Sequence, residues 1–307
     1  MNRQKSFEND RATLYLVPTP IGNLSEMSPR AIEVLNSVDV IACEDTRTSG
    51  TLLKHFDIHA RLIACHNFNE QSSVKGIIAL MEEGKNVALI SDAGYPLIND
   101  PGQRVVSEVS EMGFNVVPVS GPSAFLNALV ASGLIAQPFL FVGFLPQGNG
   151  ERKKKLMEYR DYPMTMIFYE APHRIDRMLE TCLEVLGDRK CTLARELTKK
   201  HEEFIRGTIS EVLSIVDDIR GEMVILIEGK QTSDDSLQEE DILTMVNTYI
   251  NEGMSTKDAI KATVKATGLS KNEVYNLVVS QKQSIFDILI HAAGGYRICL
   301  MILKLYS

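Results

Sequence analysis

Short polar clusters that follow apolar, β-branched runs carry the chemistry-bearing residues of this chain. "CEDTRTSG" (43–50) sets Glu44, Asp45 and Arg47 together, joining a carboxylate able to take a proton to a guanidinium able to hold a phosphate. The same residues also suit a helix start, with Asp45 or Thr46 as cap and Arg47 paired to a carboxylate. "SDAGYPLINDPG" (91–102) follows the buried run Val87–Ile90 and is dense in turn formers, which let backbone N–H and C=O groups approach a ligand closely. "VPTPIGNL" (17–24) fixes a rigid turn after the first apolar run. "GPSA" (121–124), "YEAPHR" (169–174), "ARELTK" (194–199) and "GEMVILIEG" (221–229) continue the series. Each has a plain structural use: a cap for the serine, a first helical turn for Pro172, surface ion pairs for Arg195, Glu196 and Lys199. If all sit at strand ends facing one cleft, they build a small-molecule site between two domains.

Several chemistries are excluded. Only Gly22 stands where a dinucleotide fold would place G-x-G-x-x-G, and no G-x-x-x-x-G-K-[ST] is present for a nucleoside triphosphate. Five cysteines (Cys43, Cys65, Cys182, Cys191, Cys299), odd in number and without a C-x-x-C pair, argue against a disulfide framework or a zinc site and fit a reducing cytoplasm; no metal is expected. A formal net charge of −8 with a pI near 5.4 is not that of a protein coating naked nucleic acid, so any RNA contact must be local. The N-terminal "MNRQKSFENDR" is too polar for a signal peptide, and nothing before residue 284 approaches a membrane span.

The elements that must position these clusters alternate as in α/β units. Strands are expected at Leu14–Pro18, Val38–Cys43, Arg61–Cys65, Asn86–Ser91 and Val116–Val119, completing an N-terminal α/β domain over 1–120. Ser28-Pro29 predicts a capped helix running through Ala31, Val34 and Leu35. Strands at Phe139–Phe144, Met164–Tyr169, Thr192–Arg195, Phe204–Gly207 and Met223–Glu228 come closer together, which predicts a second α/β domain with a mixed sheet over 121–231. Between them "QGNGERKKKLMEYR" is read as a mobile basic loop leading into a helix. After the polar "KQTSDDS", Leu237–Ile250 is a helical candidate. Two S-x-x-[DE] capping boxes at Ser255 and Ser270, with Gly268 between, predict a helix-turn-helix-like pair in a module over 232–283. A small bundle packing on itself or on a dimer mate fits that pair equally well. The apolar tail 284–307 carries Asp287, His291, Arg297 and Lys304, which suits an amphipathic packing segment better than a span.

"TPIGNL", "EDTR", "SDAGYPLINDPG", "FYEAPHR", "LARELTK" and "GEMVILIEG", in this order and spacing, resemble the ribosomal RNA small subunit methyltransferase I family from residue 13 to about 281. The resemblance implies the tetrapyrrole-methylase (class III) fold and S-adenosylmethionine as cofactor. It also implies 2′-O-methylation of a decoding-centre cytidine in 16S rRNA on the small ribosomal subunit, by a cytoplasmic homodimer with no membrane role. Ile21, the segment Asp92, Ala93, Gly94 and Tyr95, then Ser123, Ala124, Tyr169, Leu197 and Met223 are implied to line the cofactor pocket. The family usually has threonine where Tyr95 stands, and no family counterpart is known for the tail after residue 283.

Methyl transfer to a ribose oxygen needs alignment and a base for the hydroxyl proton. Asp45 is the first candidate base and Asp100 the second. Lys199 either lowers the hydroxyl pKa or, if depressed by burial, serves as base itself. Arg47, His173, Arg174 and Arg195 are candidate contacts for ribose or phosphate. Arg152–Lys155, Lys199-Lys200, Lys257, Lys261, Lys265 and Lys271 are candidate RNA phosphate contacts, although a lysine stripe at helical spacing is more often a solvated face. Two rivals stand beside this reading. A class III methylase acting on a tetrapyrrole or protein would share the cofactor loops and differ in the acceptor cleft. A helix-turn-helix regulator with a degenerate cofactor domain would fail to bind S-adenosylmethionine.

Overall fold

Thr13–Val17 (β1), Val40–Cys43 (β2), Arg61–Ala64 (β3), Val87–Ile90 (β4) and Asn115–Pro118 (β5) form an all-parallel sheet in the order β3-β2-β4-β1-β5. The computed structural model describes residues 3–65, 70–216, 219–231, 239–267 and 269–292. β1 and β4 are apolar on both faces because both faces are covered. Tyr15, Val17, Ala88 and Ile90 pack toward Pro29–Ser37 (α1) and Thr46–His55 (α2), whereas Leu14, Leu16, Val87 and Leu89 pack toward Glu70–Glu82 (α3) and Gln103–Glu111 (α4). The Ser28 hydroxyl accepts the Ala31 N–H at 3.1 Å and Pro29 opens α1, as the sequence predicts. The chain leaves β1 for α1 on one face and leaves β4 for α4 on the other. Between these two adjacent strands lies the switch point, the crevice where open α/β sheets bind ligands.

Ala124–Ala131 (α5) leads to the second sheet. It holds Phe139–Phe144 (β6), Thr165–Glu170 (β7), Lys190–Arg195 (β8), Glu203–Thr208 (β9) and Met223–Ile227 (β10) in the order β6-β7-β10-β8-β9. β6 runs parallel to β7 and the remaining pairs are antiparallel, which is the mixed sheet expected from the close strand spacing. Asn149–Tyr159 (α6), Ile175–Leu186 (α7) and Ile209–Leu213 (α8) cover one face through Leu156, Met178, Cys182 and Val212. On the other face Ile167, Ala194, Val224 and Leu226 meet Ala128 and Leu129 of α5 together with Ile21 and Leu197. Ile21 belongs to the loop after β1, so this cluster joins the two sheets.

The basic run 152–155 is not a loop. α6 starts at Asn149, and Arg152 is only 5% exposed, donating to Thr181 Oγ1 at 2.9 Å and to the Gln147 carbonyl at 3.1 Å. Lys153 and Lys155 pair with Glu184 and Glu158, both at 2.7 Å. Charge alone concealed the i, i+4 spacing of Arg152 and Leu156, which forms the inner face of this helix.

Residues Met1–Lys230 form one compact unit and Gln231–Ser307 another. The second contains Glu239–Asn251 (α9), Thr256–Thr267 (α10) and Lys271–Ala292 (α11) around Ile242, Val246, Ala259, Ile260, Val274 and Val278. The Ser270 box is reciprocal: Glu273 N–H donates to Ser270 Oγ and Ser270 N–H to the Glu273 carboxylate. At Ser255 the Asp258 carboxylate accepts the serine hydroxyl instead of its backbone N–H. Lys257, Lys261, Lys265 and Lys271 are all exposed. The backbone of α11 continues through residue 284, and no helix among the described residues is long and apolar enough to cross a membrane. Gly268, linker residues 232–238 and the tail from 293, including Gly294-Gly295, Arg297, Cys299 and Lys304, lie outside the described residues.

Candidate active site

The loops after β1 and β4 are knit together at the switch point. Thr19 and Gly94 exchange two backbone hydrogen bonds of 2.9 and 3.0 Å, and Ser91 Oγ also donates to the Gly94 carbonyl at 2.8 Å. Gly94 therefore spends both backbone groups on this bridge, which leaves Asp92 and Ala93, both exposed, as the open part of "SDAGYP". Tyr95 turns to the third loop, its hydroxyl accepting the Gly121 N–H at 3.1 Å. Ser123, almost fully buried, and Ala124 begin α5 directly after.

The second sheet reaches the same crevice. Ile21, Leu197, Ala124 and Tyr169 share one apolar cluster, so four of the sequence-predicted cofactor residues converge. Met223 does not join them through its side chain, which points into the opposite core with Phe168 and Ile225. Strand alternation explains this, because Val224 takes the crevice side, and only the Met223 backbone is left to face the ligand. Gly22 lies at φ +136°, and a Cβ there would stand 2.6 Å from Lys199 Cγ; the lysine stem passes directly over the first loop. Gly143, at a β-bulge in β6, is similarly pressed by Asn99 of the "LINDPG" segment. Thr198 holds a left-handed backbone at φ 67°, unusual for a β-branched residue, and its buried hydroxyl lacks a hydrogen-bond partner. An apolar cluster, the exposed pair Asp92-Ala93 and an unsatisfied hydroxyl suit a ligand with an apolar ring, a polar amino-acid end and a sulfonium.

Four carboxylates gather beside this crevice. Asp45 caps α2, accepting the Arg47 N–H at 2.8 Å and pairing with its guanidinium at 3.0 Å, and these bonds hold its pKa below the usual range. The helix-start use of "EDTR" is therefore realised, and a carboxylate so stabilised is a weak base. Asp92 is raised by burial and by Asp45, against a backbone hydrogen bond from Asp45. Asp100 is pushed up to about 6, first by burial and then by Glu44 and Asp92. Across from it Tyr169 is pushed up to about 12, chiefly by burial, with Asp100 adding to the rise.

The cations of the second sheet are already matched. Arg174 is held by Glu170 through Nε at 2.8 Å and through Nη2, with side chains 16% and 2% exposed. Arg195 pairs with Glu203 at 2.5 Å and donates to the Arg220 carbonyl. Lys199 Nζ bridges Glu196 and Glu222, both at 3.0 Å; burial alone would lower its pKa, but the two carboxylates outweigh it and the net shift is upward. The two carboxylates thus favour the charged form of Lys199. Arg47, 90% exposed, and His173, also exposed, remain open to an incoming phosphate or ribose. Sequence reasoning offered Glu196 as an ion-pair partner and missed Glu170 and Glu222, although each stands within the quoted clusters. The spacing of Glu170 to Arg174 and of Glu196 to Lys199, four and three residues, was a local signal, whereas Glu203 and Glu222 lie 8 and 23 residues from the cations they meet.

Comparison with known proteins agrees with this architecture. The family model for Tetrapyrrole (Corrin/Porphyrin) Methylases matches residues 13–213. Ribosomal RNA small subunit methyltransferase I of Bacillus subtilis (strain 168) is 46% identical over 285 residues, covering 90% of this chain and 98% of its own. The Escherichia coli O157:H7 protein of the same name is 41% identical over 287 residues, 92% of this chain and all of its own. Among solved structures, diphthine synthase superposes with a TM-score of 0.55 at 14% identity, over 72% of this chain and 91% of that one. Uroporphyrin-III-C-methyltransferase from Thermus thermophilus gives 0.50 at 18% identity, over 71% and 93%. At such identities these two show the fold alone. The match in family model and the near full-length kinship make this chain a member of the ribosomal RNA small subunit methyltransferase I family, within the tetrapyrrole methylases.

Proposed function

We propose that this enzyme methylates the 2′-oxygen of a cytidine ribose in the decoding centre of 16S rRNA, on the small ribosomal subunit in the cytoplasm. S-adenosylmethionine-dependent methylation of ribosomal RNA is the family's activity and that of this chain; the ribose oxygen and the particle are the finer reading. S-adenosylmethionine, when bound, supplies an activated methyl group. Ile21, Ala124, Tyr169 and Leu197 hold its apolar parts, and the uncompensated carboxylates around Asp92 favour its cationic sulfonium.

The observation that carries the ribose reading is Asp100. A carboxylate near pKa 6 is ionised at neutral pH, yet basic enough to take the hydroxyl proton as the carbon–oxygen bond forms. Asp100 is therefore the base, and Asp45 shapes α2 and holds Arg47. Lys199 lowers the hydroxyl's pKa by its charge. Methylation of a cytosine carbon would call for an accessible thiolate, whereas Cys43, Cys65, Cys182 and Cys191 are buried and burial raises the Cys43 thiol. Arg47 and His173 contact the RNA backbone, and exposed Lys200, Lys257, Lys261, Lys265 and Lys271 add local positive charge to an acidic protein. The enzyme acts as a homodimer, for which the exposed apolar side chains Leu126, Val130, Ile135 and Phe139 on α5, at the start of β6 and between them are the contacts we infer.

Transfer of labelled methyl from S-adenosylmethionine to small subunits lacking the modification, with naked 16S rRNA in parallel and nucleoside analysis after, tests this. The expected product is 2′-O-methylcytidine on subunits. Label on the base, or none despite cofactor binding, overturns the reading.

A further inference from the structure

A cavity of about 490 Å³ opens between the loop after β1 and helix α2, beside the carboxylates but away from the apolar cluster of Ile21, Tyr169 and Leu197. Pro20, Leu24 and Leu52 give it apolar walls, His55 stands at its lining, and Ser49 and Asp92 bring polar groups to it. Ser49 is 2% exposed, and its hydroxyl lacks a hydrogen-bond partner; the Cys43 thiol beside it is a weak one at best. A buried hydroxyl left unsatisfied costs free energy, which a ligand group reaching it would relieve.

We propose that this cavity receives the base of the target nucleotide, with Ser49 and Asp92 reading its Watson–Crick edge. The inference rests on the ribose reading above. A ribose oxygen brought to the methyl group carries its base with it, and a base drawn out of its stack needs a pocket of its own. The cavity falls within the range of about 300–1,000 Å³ usual for small-ligand sites. Asp92 belongs both to this cavity and to the carboxylates around Asp100, so base and reacting oxygen are served by adjoining residues. Cytosine presents an amino donor at N4 and acceptors at N3 and O2. A carboxylate accepts from the first and a serine hydroxyl donates to one of the other two. Uracil would set its O4 against the Asp92 carboxylate and its N3–H where cytosine has an acceptor. His55, edge-on to Phe56 with ring centroids 4.9 Å apart, supplies an aromatic surface for stacking.

The experiment compares small subunits carrying cytidine with subunits carrying uridine at the methylated position, for wild type, Asp92→Asn and Leu52→Phe. The readouts are kcat/KM for each substrate and calorimetric affinity for S-adenosylmethionine. Wild type is expected to prefer cytidine by roughly 10- to 100-fold, the range of one good base contact. Asp92→Asn, whose amide can donate to O4, brings the two substrates within about threefold by the same reasoning. Leu52→Phe, which fills the cavity, raises KM for subunits about tenfold with unchanged cofactor affinity. An unaltered preference in Asp92→Asn, or wild-type KM in Leu52→Phe, overturns the assignment. Should Asp92→Asn be inactive, Leu52→Phe decides, because filling the cavity must raise KM for subunits while cofactor affinity holds. If wild type transfers no methyl to ribose on either substrate, the ribose reading fails and the pocket assignment with it; transfer without the variant effects refutes the pocket alone.

Discussion

The strand-end loops of the two sheets treat charge in opposite ways. In the mixed sheet the nominated cations have been matched: Arg174 with Glu170, Arg195 with Glu203, Lys199 with Glu196 and Glu222. In the parallel sheet Asp45 has Arg47, whereas no ion pair among the described residues holds Glu44, Asp92 or Asp100. Burial first, and then repulsion from Glu44 and Asp92, pushes Asp100 up to about 6. A framework needs its charges settled, and a site for a cationic cofactor and a departing proton needs them open. The contrast separates charges settled by a partner from carboxylates left without an ion pair among the described residues.

The sharpest break of this contrast is Asp100→Asn. With the base gone, kcat is expected to fall by about 10²–10⁴-fold, the usual share of general acid–base catalysis. S-adenosylmethionine affinity should hold within a few-fold. The wild-type rate should fall below about pH 6 as Asp100 takes up its proton and level off above about 7, and the variant should lose that limb. Stability runs the other way. The folded protein binds this proton more tightly than the unfolded chain, so Asp100 removes stability as pH climbs from its ordinary 3.8 to about 6. Denaturation of Asp100→Asn should show an advantage over wild type that grows across that window and is constant above it. A pH–rate profile shared by wild type and variant would return the base role to Asp45.

The settled side is sharpened by Arg174→Ala. It strands the Glu170 carboxylate, 2% exposed, and should cost about 3–5 kcal/mol in urea or guanidinium unfolding. The double variant Glu170→Gln/Arg174→Met should recover much of that loss, since an uncharged pair leaves nothing ionic to bury. Arg47→Ala, at an exposed pair, should leave the melting temperature unchanged and raise KM for subunits instead. If Arg47→Ala unfolded the protein as Arg174→Ala does, the division between framework and site would collapse.

The sequence exposed the scaffold more fully than the crevice. The ten strands among the described residues fall on the expected runs, most plainly β2, β4 and β10, which are buried along their whole length and leave continuous apolar signals. Ser28-Pro29 and the Ser270 box are local hydrogen-bonding motifs, so the sequence alone suffices to find them. Arg152 misled because a buried arginine stem has the composition of a solvated loop; its hydrogen bond to Thr181 comes from another helix. The Glu203 partner of Arg195, the Glu222 partner of Lys199, and the joint pressure of Glu44 and Asp92 on Asp100 are also tertiary facts. A residue type indicates which chemistry is available. Whether the group is spent or open depends on neighbours far along the chain.

The smallest effect belongs to Tyr95, where this chain departs from the threonine usual in its family. Its hydroxyl accepts the Gly121 N–H at 3.1 Å and so ties the β4 loop to the loop that begins α5, both on the cofactor side. Gly121 is exposed, so water can replace the phenol when the hydroxyl is removed, and little stability is at stake. Tyr95→Phe should therefore weaken S-adenosylmethionine binding by about fivefold, corresponding to about 1 kcal/mol for one neutral hydrogen bond, with an unchanged melting temperature. Tyr95→Thr should behave alike, because a threonine hydroxyl stands several bonds short of the phenol's reach. The parallel half would then be a site whose loops are aligned by individual hydrogen bonds rather than by ion pairs. If Tyr95→Phe binds cofactor as tightly as wild type, the Thr19–Gly94 bridge is sufficient to align these loops, and the tyrosine is a neutral replacement.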